Sequence, residues 1–564
     1  MSGRESGTNA MRRLPRRVGR RDLSAGLVLG VESVPDGLAG GLLAGVNPVF
    51  GLYGYLFGTL FGALATSSAF MAVQATGAMA VIVADIDQVH GDTPESHTAL
   101  FTLTVLTGVI MLALGLARMG WIVRWVPNSV LTGFINAVAV SIVLGQFDNF
   151  TAYQAEGANK LMKGIDTITH VTSFSWSSVA IGALTIALII VLQRTRLGAL
   201  SMVVAIVVAS AAVAALGMDG VAQLRDITDV PAALPAPTMP SLRLVFTLAV
   251  PALSLVFVGL VQGAAISSSV PNPDGTYPDA SGDFRGQGVA NIAAGIFQGT
   301  PVGGSMSATA IVTNAGARSR VALFVAAATM IVSILLFADL VGYIAMPALA
   351  GLLIVVGVRT LKPEQVRMVW LTGPIQATAM TTTFVLTLLI PLQYAVLVGV
   401  GQSILLYVAR QSNRIDVKRW IFSADGTVRE EKPPTDLPAG EIVVLRPYGS
   451  LFFAAAPLFD KMLPQINPES QGSTVIITLR GKEDLGSTFI NVITRYSQRL
   501  RAVGSRLMLA GTSERVLRQL QQTEALGVIG PENVFRATAS VTESTRAAVA
   551  AAQGTAEGPA GDEA

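Results

Sequence analysis

The 564-residue chain has no cysteine and only three histidines. Without thiols there are no disulfides, thiolate metal sites or thiol catalysis, and three imidazoles leave little for a histidine-built metal centre. Charge is scarce too: Asp, Glu, Lys and Arg make up 13% of the residues, about half the roughly 25% usual in soluble domains. Hydrophobic residues make up 51%, with 56 glycines and a mean hydropathy of +0.57. One aqueous core cannot hide so much apolar sequence, so the composition defines an α-helical polytopic membrane protein. The net charge of +3 is arginine-rich, which reads as codon composition. No nucleic-acid partner is implied.

Crossing about 30 Å of hydrocarbon takes roughly 20 helical residues. Apolar segments suited to that task lie near 23–44, 48–66, 70–85, 98–117, 128–147, 177–193, 198–216, 243–269, 284–300, 304–316, 319–338, 339–358, 373–390 and 391–410. Three of them, 70–85, 284–300 and 304–316, are too short or too rich in Gly and polar residues for ordinary spans. Basic residues fall in alternate loops: Arg12 to Arg21, then Arg118 and Arg124, Arg194 and Arg196, Arg318 and Arg320, and Arg359, Lys362 and Arg367. By the positive-inside rule these loops are cytoplasmic, which places both termini there; the expected location is a bacterial inner membrane. The intervening loops are acidic or mixed; 86–97 carries Asp87, Asp92 and Glu95 without Lys or Arg.

Five regions follow. Residues 1–20 are a basic cytoplasmic leader with no apolar core of its own, not a cleaved signal peptide. Residues 21–410 form the membrane domain, and 411–440 a polar linker containing Pro433 and Pro434. Residues 441–552 read as a soluble α/β domain, with strands at Glu441–Leu445, Ser450–Phe453, Thr474–Leu479 and Arg506–Leu509, an amphipathic helix through Phe489–Val503 and a helix from Ser513. Residues 553–564 form a disordered tail of Gly, Ala, Glu and Asp.

Particular stretches are familiar. Residues 21–53, RDLSAGLVLGVESVPDGLAGGLLAGVNPVFGLY, resemble the opening of the SulP (sulfate permease) family of anion transporters. Residues 119–147 resemble that family's fifth span, 291–319 its ninth and tenth, and Tyr343–Arg410 its last three, while Glu441–Val541 resembles a STAS domain. The resemblance implies fourteen spans built as two inverted repeats of seven, a core domain moving against a gate domain, and a homodimer. It also implies an anion site between two broken spans, the third and the tenth. The sequence supports that location, because corresponding short, small-residue segments in two halves point to a midplane site. Here they are Gln74, Thr76 and Gly77 in one half and Gly303, Gly304, Ser305 and Ser307 in the other.

Two half-helix N-termini meeting at one point offer unsatisfied N–H groups and the positive ends of two dipoles to an oxyanion. The glycines allow close backbone approach, and Thr76, Ser305 and Ser307 add hydroxyl donors. Either cluster alone reads sooner as small residues letting helices pack closely in lipid; their equivalent positions in the two repeats and the family resemblance turn the reading to an anion site. Against the family pattern, Pro35-Asp36-Gly37 puts an acid where an amide is common, Gln262 stands where a carboxylate is common, and Ala308 replaces a frequent Arg. A carboxylate within the membrane costs roughly 2.5–3.5 kcal/mol by insertion scales, so Asp36 asks for a coupling role: protonated, or paired with a cation such as Na⁺, when the anion is bound. Glu32, at i−4 on the same face, can share that proton or cation. The structural alternatives are an Asp36 that only bonds broken backbone at Pro35 and a Glu32 that is an interfacial acid. Asp85 reads as an outer-rim charge. In the STAS region Asp484-Leu485-Gly486-Ser487 does not cleanly preserve the family's phosphorylatable position, which favours packing and dimer contact over a switch.

The expected function is secondary active transport of a small inorganic anion, bicarbonate or sulfate, coupled to H⁺ or Na⁺ by an elevator-type motion. No enzymatic centre or resident cofactor is indicated. The rivals are an uncoupled anion channel or exchanger, a nucleobase permease of the same fold, and a non-transporting anion sensor signalling through its STAS domain.

Overall fold

A computed structural model of the chain describes residues 19–121, 127–390 save 158, 196 and 229, and 415–554 save 424–426, 450 and 452–454, with scattered positions between 391 and 406. It divides into two compact units, residues 1–403 and 404–564.

The first unit opens with α1 (Arg20–Leu43) and α2 (Pro48–Ala65), followed by β1 (Ala72–Gln74) and the short α3 (Gly77–Val83). Next come α4 (Pro94–Leu116), α5 (Asn128–Leu144), α6 (Phe147–Thr151), α7 (Lys160–Thr169), α8 (Trp176–Leu192) and α9 (Ser201–Ala215). The second half runs through α10 (Val245–Ser269), α11 (Ala280–Ile296), β2 (Gly303–Ser305), α12 (Met306–Asn314), α13 (Val321–Gly342), α14 (Met346–Thr360), α15 (Pro363–Thr372) and α16 (Pro374–Leu389). Each apolar segment read from the sequence up to residue 390 holds a helix, or a strand leading into a half-helix. The segment at 391–410 lies largely outside the described residues, as do the leader before residue 19, the tail from 555 and most of the strand expected at Ser450–Phe453. Among the described residues seven helices are long and apolar enough to cross a membrane, while α8, α9 and α16 are apolar but shorter.

Local chemistry sets many of these boundaries. The Asn47 side chain accepts from the Val49 N–H ahead of Pro48, Thr93 and Ser96 form a capping box on α4, and Asp279 accepts from two first-turn N–H groups of α11. The span expected at 339–358 begins instead at Met346. The reason is that the chain after α9 pairs with the break: Leu224 N–H donates to the Ile344 carbonyl and Met346 N–H to that of Ala222.

Two groups of helices emerge from the packing. Helices α1, α2, α4, α10, α11 and α13 pack on one another, and so do α5, α8, α9, α14 and α16, with α1 and α3 touching the second group. Helices α1 and α13 run close because Gly26 and Gly30 face them: a Cβ on Gly26 would lie 2.4 Å from the Ala322 carbonyl oxygen.

The second unit is a six-stranded sheet of order β4-β3-β5-β6-β7-β8, made of β3 (Asp416–Phe422), β4 (Val428–Glu431), β5 (Ile442–Tyr448), β6 (Thr474–Thr478), β7 (Arg506–Thr512) and β8 (Val534–Arg536). From β5 to β8 the strands are parallel. Its helices are α17 (Ala456–Met462), α18 (Ser487–Ala502), α19 (Glu514–Gln522), α20 (Ala525–Ile529) and α21 (Glu543–Ala552). Phe459 and Phe489 meet at 4.7 Å in the core on one face, while Ala548 of α21 packs with Val444, Ile476 and Met508 on the other. Covered on both faces, β6 is buried at every position, as a central parallel strand requires.

Residues 411–440, expected as a polar linker, need correction. Strands β3 and β4 form an antiparallel hairpin there, and β3 pairs with β5. Lys418 and Arg419 gave the segment its polar look, yet Val417 is buried and Trp420 lies opposite Val444. The hairpin covers what would otherwise be the open edge of β5. Truncation after Arg410 therefore removes the second unit whole, and the remaining protein should stay monodisperse with unchanged anion preference in an uptake panel. Truncation after Gly440 strands the hairpin with a bare β3 edge and should aggregate on size exclusion; equal behaviour of the two truncations would contradict the assignment of the hairpin to the sheet.

Candidate functional site

The two interrupted segments meet in an antiparallel ribbon, with Ala72 opposite Ser305, Val73 opposite Gly304 and Gln74 opposite Gly303. Helices α3 and α12 leave the ribbon in opposite senses, each started by a hydroxyl residue: Thr76 Oγ1 accepts from Met79 N–H at 3.4 Å and Ser305 Oγ from Ala308 N–H at 3.3 Å. The ribbon must come close to its surroundings. A Cβ on Gly303 would lie 2.8 Å from Met79 Sδ and 3.3 Å from the Gly259 Cα, and one on Gly304 3.0 Å from Ile266 Cδ1 and 3.1 Å from the Gly263 Cα. Small residues on α10 and on the ribbon thus interlock.

The expected site residues take distinct places. Gly77, Gly303, Gly304, Ser305 and Ser307 lie at the ribbon and the helix starts, and the Ser305 and Ser307 hydroxyls share a hydrogen bond of 3.1 Å. Thr76 is already engaged: besides capping α3, its hydroxyl donates to Gln262 Oε1 at 3.0 Å. That bond ties α3 to α10 and fixes the amide of Gln262, whose nitrogen has no hydrogen bond among the described residues. Gln74 faces the other way, its Nε2 donating to Ser33 Oγ at 2.9 Å and Thr59 Oγ1 at 3.2 Å behind the ribbon. The side chain of Gln74 is therefore a brace between β1, α1 and α2, which leaves only its backbone near the crossing.

The carboxyls of Glu32 and Asp36 stand one turn apart on α1. Asp36 Oδ2 accepts from the Tyr55 hydroxyl of α2 at 2.9 Å. Glu32 is buried and makes no hydrogen bond among the described residues.

Helix α11 supplies residues that the sequence reading missed. Asn291 Nδ2 donates to the Val302 carbonyl at 2.6 Å while its Oδ1 accepts from Val302 N–H at 2.9 Å, and Gln287 Oε1 accepts from Gly304 N–H at 3.1 Å. Both amides are fully buried and hold the β2 strand by its backbone. One turn earlier, Asp283 accepts from Ser67 and Ser267 hydroxyls and the Ser68 N–H, anchoring the chain that enters β1. Their signal was available: Asp283, Gln287 and Asn291 recur at i, i+4 and i+8 in a small-residue membrane helix, where polar groups demand partners. In the STAS-like unit, Gly486 precedes the first turn of α18, and Asp484 pairs with Arg515 at 3.2 Å.

An interrupted-helix membrane unit with a ribbon at its crossing, followed by a separate α/β unit, is the architecture of a membrane transporter with an α/β appendage. The family model described as the sulfate permease family matches residues 20–383, and that of the STAS domain matches residues 438–541. The chain belongs to the sulfate permease family. It is 24% identical over 543 residues to the probable sulfate transporter Rv1739c of Mycobacterium tuberculosis, covering 95% of this chain and 96% of the relative. To the bicarbonate transporter BicA of Picosynechococcus it is 25% identical over 454 residues, 78% of this chain and 79% of the relative. The solved structure of the murine Slc26a9 anion transporter in the inward-facing state shares the fold at a TM-score of 0.82 and 18% identity, covering 98% of this chain and 96% of that one.

Proposed function

We propose that the protein carries a small inorganic oxyanion of the bicarbonate or sulfate class across the inner membrane, coupled to H⁺ or Na⁺, as a homodimer working by an elevator-type motion. The observation that carries this reading is the β1–β2 crossing, where two helices begin beside an oriented Gln262 amide. Helix starts leave N–H groups unsatisfied, and the amide nitrogen adds a neutral donor. Relatives named as a probable sulfate transporter and a bicarbonate transporter support the substrate class. Uptake into proteoliposomes of labelled bicarbonate, sulfate, chloride, nitrate and dicarboxylates, under imposed pH and Na⁺ gradients, tests it: accumulation of bicarbonate or sulfate is expected, and accumulation of neither would overturn it.

The elevator reading rests on the two helix groups and on one ion pair between them. Lys160 Nζ, at the start of α7, lies 3.2 Å from the Asp85 carboxylate just beyond α3. Helix α7 packs on α5 and α16, so the pair ties the site-bearing group to the other on the side expected to be extracellular. Because the chain has no native cysteine, Asp85→Cys with Lys160→Cys gives a clean thiol pair. Bridging it with a short bifunctional thiol reagent should stop uptake, whereas either single variant treated alike should keep it. Full uptake by the bridged protein would mean that these two groups do not move apart during transport.

A further inference from the structure

Helix α15 lies between α14 and α16 in the chain and is amphipathic. Val369 is buried against the protein, while Trp370 and Leu371 are 61% and 74% exposed. Its start is pinned to α5, the Lys362 N–H donating to Asn136 Oδ1 at 2.9 Å. Between α5, α15 and α16 runs a groove of about 600 Å³, with walls formed by Thr132, Val140, Leu361, Trp370, Leu371 and Phe384. The groove is almost wholly apolar, yet Arg367 stands in its lining, and among the described residues this guanidinium has no hydrogen-bond or ion-pair partner. Lys362 and Arg359 lie within the preceding eight residues, against one acid, Glu364.

We propose that this groove holds one acyl chain of an anionic phospholipid from the cytoplasmic leaflet, its phosphate group held by Arg367 with Lys362 nearby. The two halves of the site match the two halves of such a lipid. A slot lined almost wholly by apolar groups suits hydrocarbon, and a cation with no partner among the described residues suits a headgroup phosphate. Arg359, Lys362 and Arg367 are the residues that the positive-inside rule assigns to the cytoplasmic face, where anionic lipids collect, and an exposed Trp beside them is an interfacial anchor. A second copy of the chain is a poorer occupant. A two-fold interface sets the same patch against itself, which would oppose two concave grooves and bring like charges together.

The groove lies in the helix group that packs apart from the ribbon, so an occupied slot braces α5 against α15 and α16. The test uses purified full-length protein and native mass spectrometry with phosphatidylglycerol and phosphatidylcholine as competing probes. Wild type should retain phosphatidylglycerol in preference, and Arg367→Ala should reduce that preference about fivefold, as expected for one cation at a membrane surface. Val140→Trp, which fills the slot while leaving every charge in place, should displace the lipid as well. In proteoliposomes, uptake by wild type should rise with the phosphatidylglycerol fraction and uptake by Arg367→Ala should not. An unchanged lipid preference in both variants would overturn the proposal. A change in the number of subunits per assembly with Val140→Trp would instead assign the groove to a second copy, and would equally overturn it.

Discussion

Gly304→Leu should abolish anion binding while the protein still purifies as a folded, monodisperse species. A single methyl at this position already presses on Ile266 Cδ1 at 3.0 Å and on the Gly263 Cα at 3.1 Å. The Ile266 tip can swing aside, but the α10 backbone cannot, so the larger side chain has to push β2 away from α10. Two consequences follow at once. The Gly304 N–H leaves Gln287 Oε1, and the Thr76–Gln262 bridge that links α3 to α10 loses its setting. Overpacking of this kind costs about 1–3 kcal/mol, which a chain of this size tolerates, whereas displacing a site by 1 Å costs about a hundredfold in function. Gly304→Ala should fall between, about tenfold weaker in affinity, equivalent to 1.4 kcal/mol. Isothermal titration with sulfate and bicarbonate, alongside a thermal melt, reads both effects. Wild-type affinity in a folded Gly304→Leu protein would remove the ribbon from the site.

The parts of this arrangement that sequence exposes are those governed by single residues in local contexts. Apolar runs gave the helices, and Thr76 and Ser305 ahead of short apolar stretches marked where helices restart inside the membrane. Glycines at 303 and 304 signalled close approach, expected to be to an anion; the structure places Gly259 and Gly263 of α10 against them. What stayed hidden depends on partners far away in the chain. Gln74 sits in a strand whose three positions are all buried, so no alternation reveals which way its amide points, and Ser33 and Thr59 decide that direction. The segment 284–300 stood out as too rich in Gly and polar residues for an ordinary span, but the partners of Gln287 and Asn291 were not visible in it. Both amides are obligatory, because β2 is too short to satisfy its own backbone and buried N–H and C=O groups must be paired. The β3–β4 hairpin was masked in the same way, since an edge strand carries charge on purpose and so reads as a linker.

Braces of this sort also bear on selectivity. Thr76 was expected to donate to the anion, but its proton goes to Gln262, so in the proposed site the donor would be the Gln262 amide nitrogen, with the threonine setting its direction. Thr76→Ser should preserve that bond and Thr76→Val should lose it along with the α3 cap. In the proposed site, selectivity would then rest on a neutral group whose orientation, and not its charge, is what the surrounding helices control.

Coupling is a separate matter, and Asp36→Asn should abolish accumulation while sparing exchange. A monovalent anion entering against about 100 mV, inside negative, meets roughly 2.3 kcal/mol, close to a 50-fold concentration penalty by the tenfold-per-1.4 kcal/mol rule. One accompanying H⁺ or Na⁺ cancels it, and a side chain that ionises to a carboxylate is suited to take either cation. Gln262 cannot ionise, and Ala308 supplies no charge of either sign. Asp36 can, and its Oδ2 is held by the Tyr55 hydroxyl at 2.9 Å, with the Glu32 carboxyl one turn away and without a hydrogen-bond partner among the described residues. Asparagine keeps an acceptor oxygen for Tyr55 at the same place but is fixed in charge, so α1 and α2 should pack as before. The variant should then bind the anion and exchange labelled for unlabelled substrate at near wild-type rate, with gradient-driven uptake reduced to the equilibrium level and no longer responsive to imposed pH or Na⁺ steps. Tyr55→Phe separates position from charge: it frees the carboxyl without neutralising it, and should shift the pH dependence of uptake without ending accumulation. If Asp36→Asn accumulates substrate with the wild-type ion dependence, the cation is carried elsewhere, and Glu32→Gln becomes the variant that has to lose coupling for a carboxyl of α1 to be the carrier at all.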